Sequence, residues 1–286
     1  MPLPVHWVNL QPDSHLSVLD RGFAYGDGLF ETLRYHRGHF HLQDQHLQRL
    51  RRGCQQLDID YPHESLQQHF ATTADYLCSR DIAEATLRLT VTRGTAQDGL
   101  QGRGYAGAHG TPNVVFSVFP CKLPWRQTPA PARLTLSRHP LATQPLLAGI
   151  KHCNRLEQVL AAKVVREEGV DEAIMQNQAG QVIAAVAANL FLADGDRLYT
   201  PDLSECGVAG TVRALILEQL AATCMIHVEQ RPVGLSELYQ AQEVILCNSL
   251  IGIQSVANIE DHQFAATRVA DHLRSCFFDW VDRQAQ

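Results

Sequence analysis

The stretch Pro120-Cys121-Lys122-Leu123-Pro124-Trp125-Arg126-Gln127-Thr128-Pro129-Ala130-Pro131 places four prolines in twelve residues. Proline has no backbone N–H and a fixed φ, so this run is barred from a helix interior and is unsuited to a central strand. It reads as an interdomain linker over 121–132. On its N-terminal side lies a small α+β domain, residues 1–120, and on its C-terminal side a larger α+β domain, residues 133–286. A cleft between two such lobes is the default place for a ligand.

Working back from the linker, Asn113 to Phe119 has strand character. Ala85, Leu87, Leu89 and Val91 alternate with Thr86, Arg88, Thr90 and Thr92, as a half-buried strand requires. Leu29 to Tyr35 predicts a strand, His36-Arg37-Gly38 a turn, and Phe40 and Leu42 the resumption of the strand. Leu47, Leu50, Cys54 and Leu57 then follow at helical spacing, and a second helix is predicted over His63 to Ser79. Forward of the linker, a strand at Arg133 to Arg138 leads to a helix over His152 to Glu168. Strands flank Asn177-Gln178-Ala179-Gly180, and a turn falls at Asp194-Gly195. Helices over Gly210 to Thr223 and Ala265 to Val281 enclose strands at Met225 to Gln230 and Glu243 to Cys247.

The chain has 286 residues, of which 45% are hydrophobic and 19% charged, which suits a packed globular core and not a disordered or fibrous chain. Its net charge of −6 disfavours broad binding to phosphate backbones, so nucleic acid is not an expected partner. The opening MPLPVHWVNLQP lacks a secretory pattern. The longest nearly apolar run, Val182 to Ala193, is interrupted by Asn189 and falls short of the roughly 20 residues of a membrane span. A cytoplasmic location is therefore expected. Cys54, Cys78, Cys121, Cys153, Cys206, Cys224, Cys247 and Cys276 contain no C-x-x-C pair, which suggests neither a zinc site nor a disulfide framework. His36, His39, His41 and His46 are crowded but lack acidic or cysteine company, and read as histidines on the surface of a hairpin, not as metal ligands.

Three stretches invite chemistry. Lys151 follows the loop Leu146 to Ile150 at the expected start of a helix; an amine desolvated by apolar neighbours favours the neutral form that Schiff-base and proton-transfer work needs. Gly207-Val208-Ala209-Gly210-Thr211-Val212-Arg213 is a glycine-bearing loop entering a helix, where backbone N–H groups and the helix dipole suit a phosphate. Asn248-Ser249 offers small polar groups at a strand end. Each alone is equally compatible with a solvated lysine, simple helix entry or a plain turn.

Together they join a longer set: Asp20-Arg-Gly-Phe-Ala-Tyr-Gly-Asp-Gly-Leu-Phe-Glu-Thr32, His46-Leu-Gln-Arg49, Gly102-Arg103-Gly104-Tyr105, Gly149-Ile-Lys151-His-Cys-Asn154-Arg155-Leu-Glu-Gln-Val159, Asn189-Leu-Phe191, Gly210-Thr-Val-Arg213 and Cys247-Asn-Ser249. In this order they resemble the fold type IV, class IV aminotransferase-like enzymes that use pyridoxal 5'-phosphate. The Gly-Arg-Gly-Tyr loop and the run after Lys151 resemble the 4-amino-4-deoxychorismate lyase branch. The resemblance implies a two-lobed α+β fold with the cofactor in the interdomain cleft, and a lyase that forms 4-aminobenzoate and pyruvate on the way to folate. It implies Lys151 as the Schiff-base lysine and proton carrier. Arg49, Thr211, Val212, Asn248 and Ser249 would hold the cofactor phosphate, Arg103 would meet a substrate carboxylate, and Asn154 and Arg155, one helical step beyond Lys151, would lie near the ring. It also implies a homodimer. The alternatives within the resemblance are a D-amino-acid or branched-chain aminotransferase, or a relative impaired in catalysis.

One position departs from the pattern. Five residues before Asn189, where the resemblance implies a Thr-Glu pair with the glutamate on the pyridine nitrogen, the chain has Ile183-Ala184. Loss of that carboxylate weakens the cofactor as an electron sink. A defect, a substitute for the carboxylate, or a reaction that tolerates the weaker sink would each account for it. In the last case Ala184 handicaps transamination more than a lyase step driven by aromatisation of the product.

Overall fold

The computed structural model describes residues 3–12, 14–95, 105 and 110–284. The chain divides into two compact units, one of Met1–Trp125 with Ile150–Asn154, the other of Arg126–Gly149 with Arg155–Gln286.

The first unit contains β1 (Val5–Val8), β2 (Gln11–Pro12), α1 (Arg21–Tyr25), β3 (Gly28–His36), β4 (His39–Phe40), α2 (Gln43–Gln56), α3 (His63–Cys78), β5 (Glu84–Thr92) and β6 (Asn113–Pro120). Its six strands form one sheet in the order β2-β1-β6-β5-β3-β4. The pairs β3–β5 and β5–β6 run antiparallel along nearly their full lengths, and Ala85, Leu87, Leu89 and Val91 of β5 are fully buried. The alternation in the sequence is therefore the pleat of a central strand with one covered face. Helix α2 buries His46, Leu50, Gly53 and Cys54. A Cβ at Gly53 would stand 2.7 Å from Leu29 Cδ2, so glycine there lets α2 approach β3 closely.

The second unit contains β7 (Ala132–Leu136), α4 (Leu156–Glu168), β8 (Glu172–Gln176), β9 (Val182–Ala185), β10 (Asn189–Asp194), β11 (Arg197–Pro201), α5 (Thr211–Leu215), a π-helical stretch (Ile216–Leu220), α6 (Ala221–Thr223), β12 (His227–Arg231), α7 (Leu235–Gln240), β13 (Glu243–Asn248), β14 (Gly252–Ile259), β15 (His262–Gln263) and α8 (Arg268–Gln284). Its main sheet order is β12-β11-β10-β13-β14-β7-β8-β9, with β15 on β14. The parallel pairs β7–β8 and β11–β12 need crossovers, supplied by α4 and by the run from α5 to α6. Leu134, Ile174, Val182, Leu190, Leu192, Leu246 and Val256 form its core. The Glu243 carboxylate accepts hydrogen bonds from Val269 and Ala270 N–H and so caps the start of α8.

Several expectations are corrected. Leu42 does not continue a strand; it precedes α2 in the left-handed region at φ 56°. The helix expected from His152 begins at Leu156, because Ile150–Asn154 is held extended against β3, with Phe30 N–H donating to Lys151 O at 2.9 Å and Cys153 N–H to Gly28 O at 2.9 Å. The same bonds place Lys151 in the first unit rather than with the C-terminal domain, and leave Asn154 and Arg155 off any helix. The strand expected from Met225 starts at His227, with exposed Met225 at φ 55°. His41 and His46 are buried instead of lying on a hairpin surface. Strands β1, β2, β14 and β15 and helices α1 and α7 were not anticipated. The apolar run Val182 to Ala193 is the pair β9 and β10. Among the described residues no helix is long and apolar enough to cross a membrane.

Candidate active site

Lys151 stands on a braced extended segment, Ile150–Asn154. His152 bridges to Leu29, and Asn154 Nδ2 donates to Gly26 O at 3.1 Å. The motif from Asp20 to Gly28 builds the base of this brace. Asp20 caps α1 through Phe23 N–H and accepts from Thr92 Oγ1 and Asn113 Nδ2, both at 2.7 Å. Asp27 takes the guanidinium groups of Arg21 and Arg93, at 2.9 and 2.8 Å. Gly22 leaves no room for a side chain, since a Cβ would fall 2.2 Å from Thr92 Cγ2. Lys151 Nζ lies 4.5 Å from the centroid of the Phe30 ring, and the guanidinium carbon of Arg88 lies 4.1 Å from the same centroid. Arg88 is exposed on β5. A primary amine and an arginine thus share one aromatic ring, an arrangement that can serve an amine-reactive group and an anion side by side.

On β3, next to Phe30, Glu31 carries the opposite charge. Glu31 is buried and binds Arg49 through both oxygens, with Arg49 Nε donating at 2.8 Å and Nη2 making the second contact. His46 Nδ1 lies 2.6 Å from Glu31 Oε2. Burial alone would push the Glu31 carboxyl up, but the Arg49 charge and then His46 outweigh it and hold the group down at about 2. Burial depresses His46, with Arg49 and Lys151 adding to the effect against the pull of Glu31, so the ring is neutral and donates Nδ1–H to the carboxylate. Glu31 and His46 therefore fix the orientation of Arg49. The sequence assigns neither, although Glu31 lies in the Phe-Glu-Thr motif; its separation of 18 residues from Arg49 hides a contact made only when α2 packs on β3.

In the second unit, Asn189 is the hub of the candidate phosphate cup. It pairs with Cys247 across β10 and β13, and its Nδ2 donates to Val208 O at 2.9 Å. A Cβ at Gly210 would stand 2.0 Å from Asn189 Oδ1, so the start of α5 is pressed against it. Thr211 and Val212, both buried, and Asn248 with Ser249 at the end of β13 are thereby brought around one residue. The first turn of a helix directs its N–H groups along the axis, where an anion is favoured. The Asn248 side chain is engaged in its own turn, accepting from Leu250 and Ile251 N–H at 2.9 Å, and donates to Ala187 O at 3.1 Å. It shapes the turn that presents Ser249. Arg213 is buried beneath the loop on Thr200, Pro201 and Gln230. Gly149, two residues before Lys151, bonds to Gly207 O and accepts from Ala209 N–H, both at 3.0 Å.

Ala184 lies on β9 opposite Met175, in a cluster with Leu141, Ala161, Ile183, Leu203 and Cys206. These neighbours are apolar, and residue 184 itself brings no carboxylate where the resemblance implied one. Lys151 and the turns around Asn189 have the chemistry to hold the aldehyde and phosphate ends of pyridoxal 5'-phosphate, while residue 184 does not supply an acid for its ring nitrogen. Arg103 lies outside the described residues.

The model of the family "Amino-transferase class IV" matches residues 28–259. The chain is 34% identical over 260 residues to an aminodeoxychorismate lyase of Vibrio harveyi, covering 88% of this chain and 90% of that protein. It is 29% identical over 250 residues to a putative branched-chain-amino-acid aminotransferase of Methanocaldococcus jannaschii, covering 87% and 84%. Among solved structures it is similar to 4-amino-4-deoxychorismate lyase from Pseudomonas aeruginosa, with a TM-score of 0.86, 39% identity and coverage of 97% and 99%. Branched-chain amino acid aminotransferase from Escherichia coli shares the fold, with a TM-score of 0.79, 21% identity and coverage of 97% and 94%.

Proposed function

The chain belongs to the class IV aminotransferase family, and from that premise we propose that it is a pyridoxal-phosphate-dependent lyase that converts 4-amino-4-deoxychorismate to 4-aminobenzoate and pyruvate. The observation that carries the reading is the Phe30 ring, with the Lys151 amine on it and exposed Arg88 beside it. The substrate presents an amine and two carboxylates, and this arrangement offers an amine-exchanging lysine next to a cation. The higher identities to two lyases support the same choice over an aminotransferase.

Pyridoxal 5'-phosphate supplies an aldehyde that captures the substrate amine and a ring that spreads the charge left when the neighbouring C–H bond breaks. Lys151 would hold the cofactor through its Nζ and, as a free amine, would take the proton from the substrate ring. Enolpyruvate would leave with the ring C–O electrons and be protonated to pyruvate, while the electrons of the broken C–H bond complete the aromatic ring. Arg49, kept in place by Glu31 and His46, would be one holder of the phosphate, and Thr211, Val212, Asn248 and Ser249 would be the others. Arg88 and Arg103 meet the substrate carboxylates. We further propose a cytoplasmic homodimer, supported by exposed apolar side chains on both units, among them Phe23 at 74% and Leu156 at 77% exposure.

The test is to incubate the protein with pyridoxal 5'-phosphate and 4-amino-4-deoxychorismate and follow both products. Equal amounts of 4-aminobenzoate and pyruvate are expected, lost in Lys151→Ala together with the visible absorbance of lysine-bound cofactor. Arg88→Gln is expected to raise KM more than it lowers kcat. Bound cofactor without product, but with amino-group transfer from an amino acid to a keto acid, would favour the aminotransferase; bound cofactor with neither would mark an impaired relative.

A further inference from the structure

The second unit carries a cluster that the proposed reaction does not use. The Sγ atoms of Cys224 and Cys276 and a ring nitrogen of His272 lie within 4.8 Å of one another. His272 and Cys276 are four residues apart on α8, so their side chains share a face. Cys224 closes the helical run that begins at Thr211, with its N–H donating to Leu220 O at 2.8 Å. The two helices are tied beside the cluster, because Trp280 Nε1 on α8 donates to Gln219 Oε1 at 2.8 Å. Three donors are thus delivered by two braced elements instead of a loose segment.

We propose that Cys224, His272 and Cys276 form a binding site for a soft or borderline divalent cation of the zinc type. Two sulfurs and one imidazole nitrogen are the donor set that such ions select over oxygen-seeking cations such as magnesium. Tetrahedral zinc with bonds of about 2.3 Å to sulfur and about 2.0 Å to nitrogen needs ligand atoms roughly 3.5–3.8 Å apart. The three donor atoms already lie within 4.8 Å of one another, and exposed His272 is able to rotate toward the two sulfurs. The fourth position stays open to solvent. Binding converts two thiols to thiolates and releases two protons to water, with no change of oxidation state. The C-terminal end of the helical run, where carbonyl oxygens converge, adds a favourable potential for a cation.

The experiment uses the full chain loaded with pyridoxal 5'-phosphate, under reducing conditions. Cobalt(II) is titrated first as an optical probe and zinc(II) by calorimetry. One equivalent is expected to bind with a thiolate-to-cobalt charge-transfer band and quenching of Trp280 emission. Cys276→Ser and Cys224→Ser should abolish the band, His272→Ala should weaken zinc binding by tenfold or more, and Cys78→Ser, which removes an exposed thiol elsewhere, should change nothing. Because Cys224 is buried, a second measurement uses the unmutated chain: zinc should protect Cys276 from alkylation and leave Cys78 reactive. Absence of stoichiometric binding, a band that survives in Cys276→Ser, or equal alkylation of Cys276 with and without zinc would each overturn the site.

Discussion

Glu31 contributes stability through a charge that acid removes. Its carboxyl sits at about 2 against an ordinary value of 4.5, so the folded state binds the proton less readily than the unfolded chain. The contribution is fully present above the unfolded value and is lost as pH falls from about 4.5 to about 2. It is on the order of 3 kcal/mol by linkage. Thermal unfolding followed between pH 6 and pH 2 should show a falling midpoint, and Glu31→Gln should be less stable at pH 6 and flatter below pH 4.5. The same variant should bind pyridoxal 5'-phosphate more weakly, because Arg49 loses the partner that orients it. Ala184 makes the opposite case, where the missing charge is the observation. A glutamate placed among Leu141, Ile183, Leu203 and Cys206 would be desolvated. Ala184→Glu should therefore lower the unfolding midpoint of the cofactor-free protein and recover it when pyridoxal 5'-phosphate binds. It should also raise transamination by a larger factor than lyase turnover; equal factors would count against the view that aromatisation of the product makes up for the weaker electron sink.

At the scale of elements, the glycine before α5 decides whether the phosphate cup can form. Gly210→Ala would drive a Cβ into Asn189 Oδ1, displacing the side chain that joins β10 to the loop through Val208. A loss of about 1–3 kcal/mol in stability is expected, with a clear fall in cofactor affinity by fluorescence titration. Gly234→Ala, at a helix start with open space around it, should stay within about 0.5 kcal/mol of the parent. Local pattern explains which of these features could be read from the chain. The alternation of Ala85 to Val91 and the spacing of Leu50 and Cys54 report burial directly, so β5 and α2 were legible. The glycine loop and Asn248-Ser249 were legible as anion-friendly turns. The start of α4 was not, because the amphipathic pattern runs back to His152 while the backbone there pairs with β3, a contact set by residues more than 120 positions away. His46 is misread for the same reason: its burial depends on Glu31, 15 residues away on β3, which accepts from its ring. The π-helical stretch before α6 left no periodic signature.

On the scale of the whole molecule, one outward face of α4 remains without an inner partner in a single chain. Ala161 and Val164 are buried on its inner side, yet Leu156, Val159 and Leu160 are 77%, 60% and 46% exposed. Their spacing of three and four residues makes a continuous apolar stripe where a solvent-facing helix ordinarily carries charge. Val18 and Phe23 of the first unit are also largely exposed. A second copy of the chain would cover such surfaces by a self-complementary contact, the commonest arrangement among soluble oligomers. The full chain should therefore sediment as a dimer at micromolar concentration, and its unfolding midpoint should rise with protein concentration by mass action. Leu156→Glu with Val159→Glu should give a monomer whose circular dichroism is unchanged, because the inner face of α4 is left intact. If that monomer also binds pyridoxal 5'-phosphate less tightly, then burial of α4 is coupled to the extended segment before it, which carries Lys151. A parent protein that is monomeric at micromolar concentration would remove the stripe as evidence for self-association.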